Sequence, residues 1–159
     1  MNPDCPAGVP GLEPKLTIEQ VAFLPTSEGD QPETAAYTAT TIVVCSSCRR
    51  PDDPLIEPRP GSLLASAALA AAEGTDITVK KAACLGNCRR GLSAAVLRDG
   101  SWSYVFGELT PDSAPDLIAG AMLFASSRDG FMPYRARPES LKRGLIARIP
   151  GFHNLKDLP

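Results

Sequence analysis

The apolar and polar positions fall into a regular series from Thr40 onward. TTIVVC (40–45) is β-branched and apolar throughout, which predicts a buried strand ending at Cys45. RRPDDPLIEPRP (49–60) carries four prolines and predicts a loop. Ser62 then stands where an N-cap belongs, ahead of the strong helix former LLASAALAAAE (63–73), and Gly74 closes it. In DITVKKAAC (76–84), Ile77 and Val79 alternate with Thr78 and Lys80, which predicts a second strand ending at Cys84. LSAAVLRDGSWSYVFGEL (92–109) predicts a hairpin turning at Asp99-Gly100. Thr110 and Pro111 fit the cap and first position of a second helix over APDLIAGAMLFASS (114–127). Trp102, Tyr104 and Phe106 alternate and so share one strand face, where core packing is their ordinary role.

The expected order is β-α-β-β-β-α, an α/β fold with a four-stranded mixed sheet and flanking helices. Two strands joined by a helix run parallel with a right-handed crossover, and the hairpin adds an antiparallel pair. In the tail, Leu141, Leu145 and Ile146 alternate with Arg and Lys, which predicts a short helix over Ser140–Ile149.

Charge divides the chain into three expected regions. Residues 1–39 form an acidic, Pro-rich, largely flexible segment; residues 1–40 hold six prolines, six acidic residues and one Lys. Residues 40–127 form the folded domain. Residues 128–159 form a basic C-terminal extension with seven basic and three acidic residues. The net charge of −2 gives no signal for a polyanion, so nucleic acid is not an expected partner. No run approaches the roughly 18 apolar residues of a membrane span. MNPDCPAGVPGLEP lacks the basic and apolar regions of a signal peptide, so a cytoplasmic location is expected.

Reduced cysteines are the rule in the cytoplasm, so paired cysteines there point to metal or redox chemistry rather than structural disulfides. Four of the five are paired: Cys45-x2-Cys48, then 35 residues, then Cys84-x3-Cys88. Each pair follows a predicted strand. The two strands are parallel, so their ends share one edge of the sheet and the pairs meet. Cys5 stands alone in the N-terminal segment. His153 is the single histidine, which leaves no set for His-based catalysis and none for a Rieske-type site.

Three chemistries compete for the four thiols. A dithiol at Cys45 and Cys48 needs a helix N-terminus to lower a thiol pKa, and the proline-rich loop is expected to keep the helix away from Cys45. Structural zinc takes four cysteines in a tetrahedron, though a CxxxC pair is less usual for it. A [2Fe-2S] cluster needs two thiolates on each iron, which two strand-end pairs can supply. With four thiolates it carries a charge of about −2 oxidised and about −3 reduced. Arg49, Arg50, Arg89 and Arg90 follow the ligands directly and would offset that charge; as an ordinary surface they would form a solvated basic patch.

CLGNCRRGLSAAVLRDG (84–100) resembles the C-L-G-x-C-x-x-G-P…V…D-G signature of thioredoxin-like [2Fe-2S] ferredoxins, a signature seen also in the small cluster-bearing subunit of respiratory complex I. Cys84, Leu85, Gly86, Cys88, Gly91, Val96, Asp99 and Gly100 carry the match. Leu92 stands where that family has Pro, and the Cys45-x2-Cys48 gap is shorter than the family's. The resemblance covers roughly residues 40–127. It implies a thioredoxin-like fold and a one-electron carrier rather than an enzyme, with Cys45, Cys48, Cys84 and Cys88 as ligands and Gly86 bending the loop toward the sulfurs. It also implies a redox protein partner, reductase or acceptor, and a homodimer would suit the family. The whole chain, MPYRARPESLKRGLIARIP (132–150) included, is similar to small bacterial proteins called predicted metal-binding or ferredoxin-like, often encoded near cobalamin-biosynthesis genes. That similarity implies a reductive step in cobalamin metabolism. The alternative is a zinc-binding structural or metal-chaperone module with no redox role.

Overall fold

The computed structural model describes residues 39–157 apart from Pro51, Pro54 and Ile56. Cys5 and all but the last residue of the expected 1–39 segment lie outside the described residues. Among the described residues, five strands and three α-helices follow one another: β1 (Thr41–Cys45), α1 (Pro60–Ala71), β2 (Thr78–Ala82), β3 (Ala94–Leu97), β4 (Ser103–Phe106), α2 (Ala114–Ala125), α3 (Glu139–Arg143) and β5 (Leu145–Ile149). The sheet order is β2-β1-β3-β4-β5, with β1 and β2 parallel and every other neighbouring pair antiparallel. The expected α/β order β-α-β-β-β-α is present from β1 to α2.

The sheet has five strands, not the four expected. The fifth comes from the stretch expected to be one helix over Ser140–Ile149. That helix is confined to Glu139–Arg143, and Leu145–Ile149 pairs with β4. Gly144 ends the helix, and the pattern Leu145, Ala147, Ile149 then has the period of two that a strand needs.

The core lies between one face of the sheet and the two long helices. Ile42 and Val44 of β1 are fully buried, as are Leu64, Ala65 and Ala68 of α1 and Leu117, Ala121 and Phe124 of α2. The helices pack on each other and over β1. Each fully buried Leu or Phe contributes about 1.5–3 kcal/mol. Tyr104 and Phe106 of β4 stack at 6.2 Å in this core, as their alternation predicts. Trp102 lies just before β4 and packs against Phe131, with the Arg148 guanidinium 4.7 Å from its ring centroid. Thr110 caps the α2 end of the chain in a reciprocal pair with Ser113.

Residues beyond α2 are fastened to this core by Arg137, which is 5% exposed. Its guanidinium donates to the Met132 carbonyl at 2.8 Å and lies 5.3 Å from the Tyr104 ring centroid, while the Met132 N–H donates to Tyr104 Oη at 2.9 Å. A desolvated cation–π contact is worth about 2 kcal/mol and a hydrogen bond from a charged group about 1.5–3 kcal/mol. Arg137→Ala is therefore expected to cost about 3 kcal/mol, read as a lower urea midpoint with an unchanged slope. Arg135→Ala, at an exposed position, should move it by no more than about 0.5 kcal/mol. Equal effects would rule out the fastening role.

No helix among the described residues is long and apolar enough to cross a membrane.

Candidate metal centre

β1 delivers Cys45 to the edge of the sheet, and the chain turns at once through Ser46 and Ser47. That turn is tied to the end of β2. The Ser46 N–H donates to the Ala82 carbonyl at 2.8 Å and the Ser47 N–H to the Ala83 carbonyl at 3.2 Å. The hydroxyls of Ser46 and Ser47 donate to the same two carbonyls. On the other side the Cys45 N–H donates to the Ser93 carbonyl at 3.0 Å. Cys45 is thus held between the start of one cysteine loop and the entry to β3. It is 1% exposed and Cys48 is 5% exposed.

The loop after Cys48 doubles back, against the expectation that its prolines keep the helix away. α1 begins at Pro60, and Arg59 rather than Ser62 occupies the N-cap. Ser62 instead donates to the Ser46 carbonyl at 3.3 Å, and the Gly61 N–H donates to the Cys48 carbonyl at 3.0 Å. A Cβ at Gly61 would lie 2.3 Å from the Cys45 oxygen and 2.9 Å from the Cys48 nitrogen. The first turn of α1 therefore sits directly on the Cys45–Cys48 turn, an approach only glycine permits.

β2 ends at Ala82, two residues short of the expected Cys84. The chain then wraps the first pair. The Cys45 sulfur lies 3.6 Å from the Ala83 carbonyl oxygen, and a Cβ at Gly91 would lie 3.5 Å from the Cys48 sulfur. Gly86 adopts φ +72°, the left-handed region, and its N–H donates to the Cys84 sulfur at 3.3 Å. Cys88 opens a 3₁₀ turn through Arg90. Cys84 and Cys88 are exposed.

The two motifs thus meet at one edge of the sheet, and contacts between them reach the sulfurs. The four thiols divide into an inward pair, Cys45 with Cys48, and an outward pair, Cys84 with Cys88. Among the described residues, no three or more His, Cys, Asp or Glu side chains gather round a single point. In donor chemistry the site fits a sulfur-bound group: two buried thiols in a turn pinned to the end of β2, and two exposed thiols on the adjoining loop.

Electrostatics separate the buried pair. The hydrogen bond from Cys48, with further donors from Leu85 and Ser47, holds the Cys45 thiol down at about 5 although burial opposes this. The same contact pushes the Cys48 thiol well up, and burial adds to it. The pair keeps one proton across the neutral range and presents Cys45 as the thiolate.

The four arginines have separate occupations. Arg49 lies 3.7 Å from Glu57. Arg50 donates to the Leu109 carbonyl at 2.6 Å and takes Asp53 on its own N–H. Arg90 pairs with Glu108 at 2.9 Å and holds that carboxyl below its usual range. Arg89 is exposed beside Cys88 and enters no ion pair among the described residues. Two of the four charges, Arg49 and Arg90, are therefore paired with carboxylates, and Arg89 is the cation of the four that is exposed. Asn87 and Ser93, which sequence reasoning did not single out, tie the second loop to the entry of β3: the Asn87 amide donates to Ser93 Oγ at 3.0 Å, and the Ser93 carbonyl accepts from the Cys45 N–H; the free position of CLGNC was the one signal pointing to Asn87.

Similar folds come from solved structures. The chain is similar to a structure of a thioredoxin-like [2Fe-2S] ferredoxin from Aquifex aeolicus, with 16% identity and a TM-score of 0.48, over 72% of this chain and 98% of that one. A crystal structure of the wild-type ferredoxin from the same organism gives 14% identity and 0.46, over 69% and 98%. A cysteine-to-serine variant of it gives 15% and 0.45, over 68% and 98%. No curated protein matches the chain. A family model described as protein of unknown function (DUF1636) matches residues 42–151, more than half of the chain, and the protein belongs to that family.

Proposed function

We propose that this protein is a one-electron carrier that binds a [2Fe-2S] cluster, Cys45 and Cys48 holding one iron and Cys84 and Cys88 the other. When bound, such a cluster takes up and gives back a single electron. The observation that carries the reading is the meeting of the two cysteine loops: the Ser46 and Ser47 N–H groups donate to the Ala82 and Ala83 carbonyls, and a Cβ at Gly91 would lie 3.5 Å from the Cys48 sulfur. Hydrogen bonds to sulfur offset charge and raise the reduction potential. Burial of the first pair excludes water from one side, and the exposed second pair brings the other side to the surface, where a redox protein partner could approach. Arg89 lies on that rim. Nothing among the described residues marks a corrinoid acceptor, so the partner is proposed only as a redox protein.

A second reading rests on one observation. The first turn of α1 packs on the Cys45–Cys48 turn, and a helix N-terminus is the setting in which a dithiol becomes reactive. On that reading Cys45 and Cys48 cycle between dithiol and disulfide, with two electrons. A reductive titration of anaerobically purified protein separates the readings. The carrier takes up one electron per chain with a one-electron Nernst slope. A two-electron slope moves the function to the dithiol, and no uptake moves it to a zinc-bound module.

A further inference from the structure

We infer that Glu108 is a positioning residue for the metal centre, in a loop that takes the second arginine of each cysteine motif and so sets where the two motifs stand; the role rests on the sulfur-bound-metal reading above. Both CSSCRR (45–50) and CLGNCRR (84–90) end in an arginine pair. The Arg50 guanidinium donates to the Leu109 carbonyl at 2.6 Å, and the Arg90 guanidinium donates to Glu108 Oε1 at 2.9 Å. The echo between the motifs therefore ends on neighbouring residues of one loop, which runs from β4 towards α2.

Glu108 holds Arg90 at two points. Its N–H donates to the Arg90 carbonyl at 2.7 Å, and its carboxylate accepts from the guanidinium. Arg90 closes the 3₁₀ turn that Cys88 opens, so this hold lies two residues from an outward thiol. The loop is itself fixed on both sides of Glu108. The Gly107 N–H donates to the Gly144 carbonyl at 2.8 Å, and the Leu109 N–H donates to the Leu92 carbonyl at 3.2 Å. Glu108 has φ +56° and is, among the described residues, the non-glycine residue with a positive φ. Backbone energy alone favours glycine in that region, and a side chain persists there when its surroundings over-determine it. The ion pair is 41% and 56% exposed, so it adds little to the stability of the fold. What the carboxylate supplies is the placement of Arg90, and with it the Cys88 turn, against a loop that Arg50 holds from the first motif.

The test sets the Co²⁺ affinity of the metal-free full chain against its melting temperature. E108G removes the carboxylate and relieves the left-handed residue in one change. It is expected to weaken Co²⁺ binding by about tenfold while Tm stays unchanged or rises. E108Q keeps an oxygen that accepts from Arg90 without the charge, so it should recover part of the lost affinity. In an R90A background, E108G should lower Co²⁺ affinity no further, because the carboxylate acts only through Arg90.

An unchanged Co²⁺ affinity in E108G, a fall in affinity matched by a fall in Tm, or a further loss in the R90A background would overturn the role. A wild type that takes up no cluster but shows the expected pattern with Co²⁺ keeps the role and removes the electron-carrier reading. A wild type with a normal cluster and none of the pattern does the reverse. A wild type that binds neither cluster nor Co²⁺ removes both.

Discussion

Each of Cys45→Ser and Cys48→Ser is expected to reduce bound iron from about two per chain to nearly none. Both thiols are buried, in a turn whose backbone is pinned to the end of β2. A serine hydroxyl stays protonated at neutral pH, whereas the geometry holds Cys45 as the thiolate that a metal needs. The fold should survive, since serine at 45 is smaller than cysteine and its hydroxyl can donate to the Ala83 carbonyl, whose oxygen lies 3.6 Å from the Cys45 sulfur. Cys84→Ser and Cys88→Ser remove exposed ligands, so a residual, labile cluster with a shifted spectrum is the expected product. Cys5→Ser is the control and should leave colour and iron unchanged. Iron content and circular dichroism on the same five samples decide this. Full iron retention in C45S or C48S would remove the inward pair from the ligand set.

Gly61→Ala is expected to destabilise the protein by about 3 kcal/mol or more, with a fall in Tm of about 9 °C. Helix propensity taken alone argues the opposite, since alanine for glycine inside a helix gains about 1 kcal/mol. Sterics win because of what the new Cβ would meet. Its neighbours are the Cys45 carbonyl oxygen at 2.3 Å, the Cys48 nitrogen at 2.9 Å and the Cys48 Cβ at 3.1 Å. Two of these are backbone atoms in a turn pinned to β2, so α1 must move instead. Moving it breaks the bond from the Gly61 N–H to the Cys48 carbonyl and loosens Leu64 and Ala65, both fully buried. Thermal unfolding of metal-free protein measures this without any contribution from a bound group. Ser66→Ala, at an exposed position of the same helix, should be neutral or slightly stabilising. An increase in Tm for G61A would show that α1 does not rest on the cysteine turn.

The parts of the fold legible in the sequence are those set by local pattern. TTIVVC gave a strand ending at Cys45, Asp99-Gly100 lies in the β3–β4 turn, and Thr110 with Pro111 opened the run into α2. The parallel pairing of β1 with β2 then brought the two cysteine loops to one edge, as the topology rule requires. What the pattern could not reveal was set by contacts distant in sequence. Leu145–Ile149 carries apolar residues that suit either a helix face or a strand, and pairing with β4 decides for the strand. Ser62 looked like a cap, but the proline-rich loop folds back and gives its hydroxyl to the Ser46 carbonyl. Ser93 sits in a run of small residues and has no signature of its own; it becomes part of the site only when β3 pairs beside β1. The arginines were visible as residues, while their partners Glu57, Glu108 and the Leu109 carbonyl lie in other loops.

The central claim is that the four paired cysteines hold a [2Fe-2S] cluster. The most direct test is the visible absorption spectrum of protein purified without oxygen, with iron and zinc quantified on the same sample. Sulfide-to-iron bands between about 330 and 550 nm that bleach with dithionite, with about two irons per chain, are the predicted result. A colourless protein with one zinc per chain, unchanged after an attempt to rebuild the cluster from iron and sulfide, would contradict it.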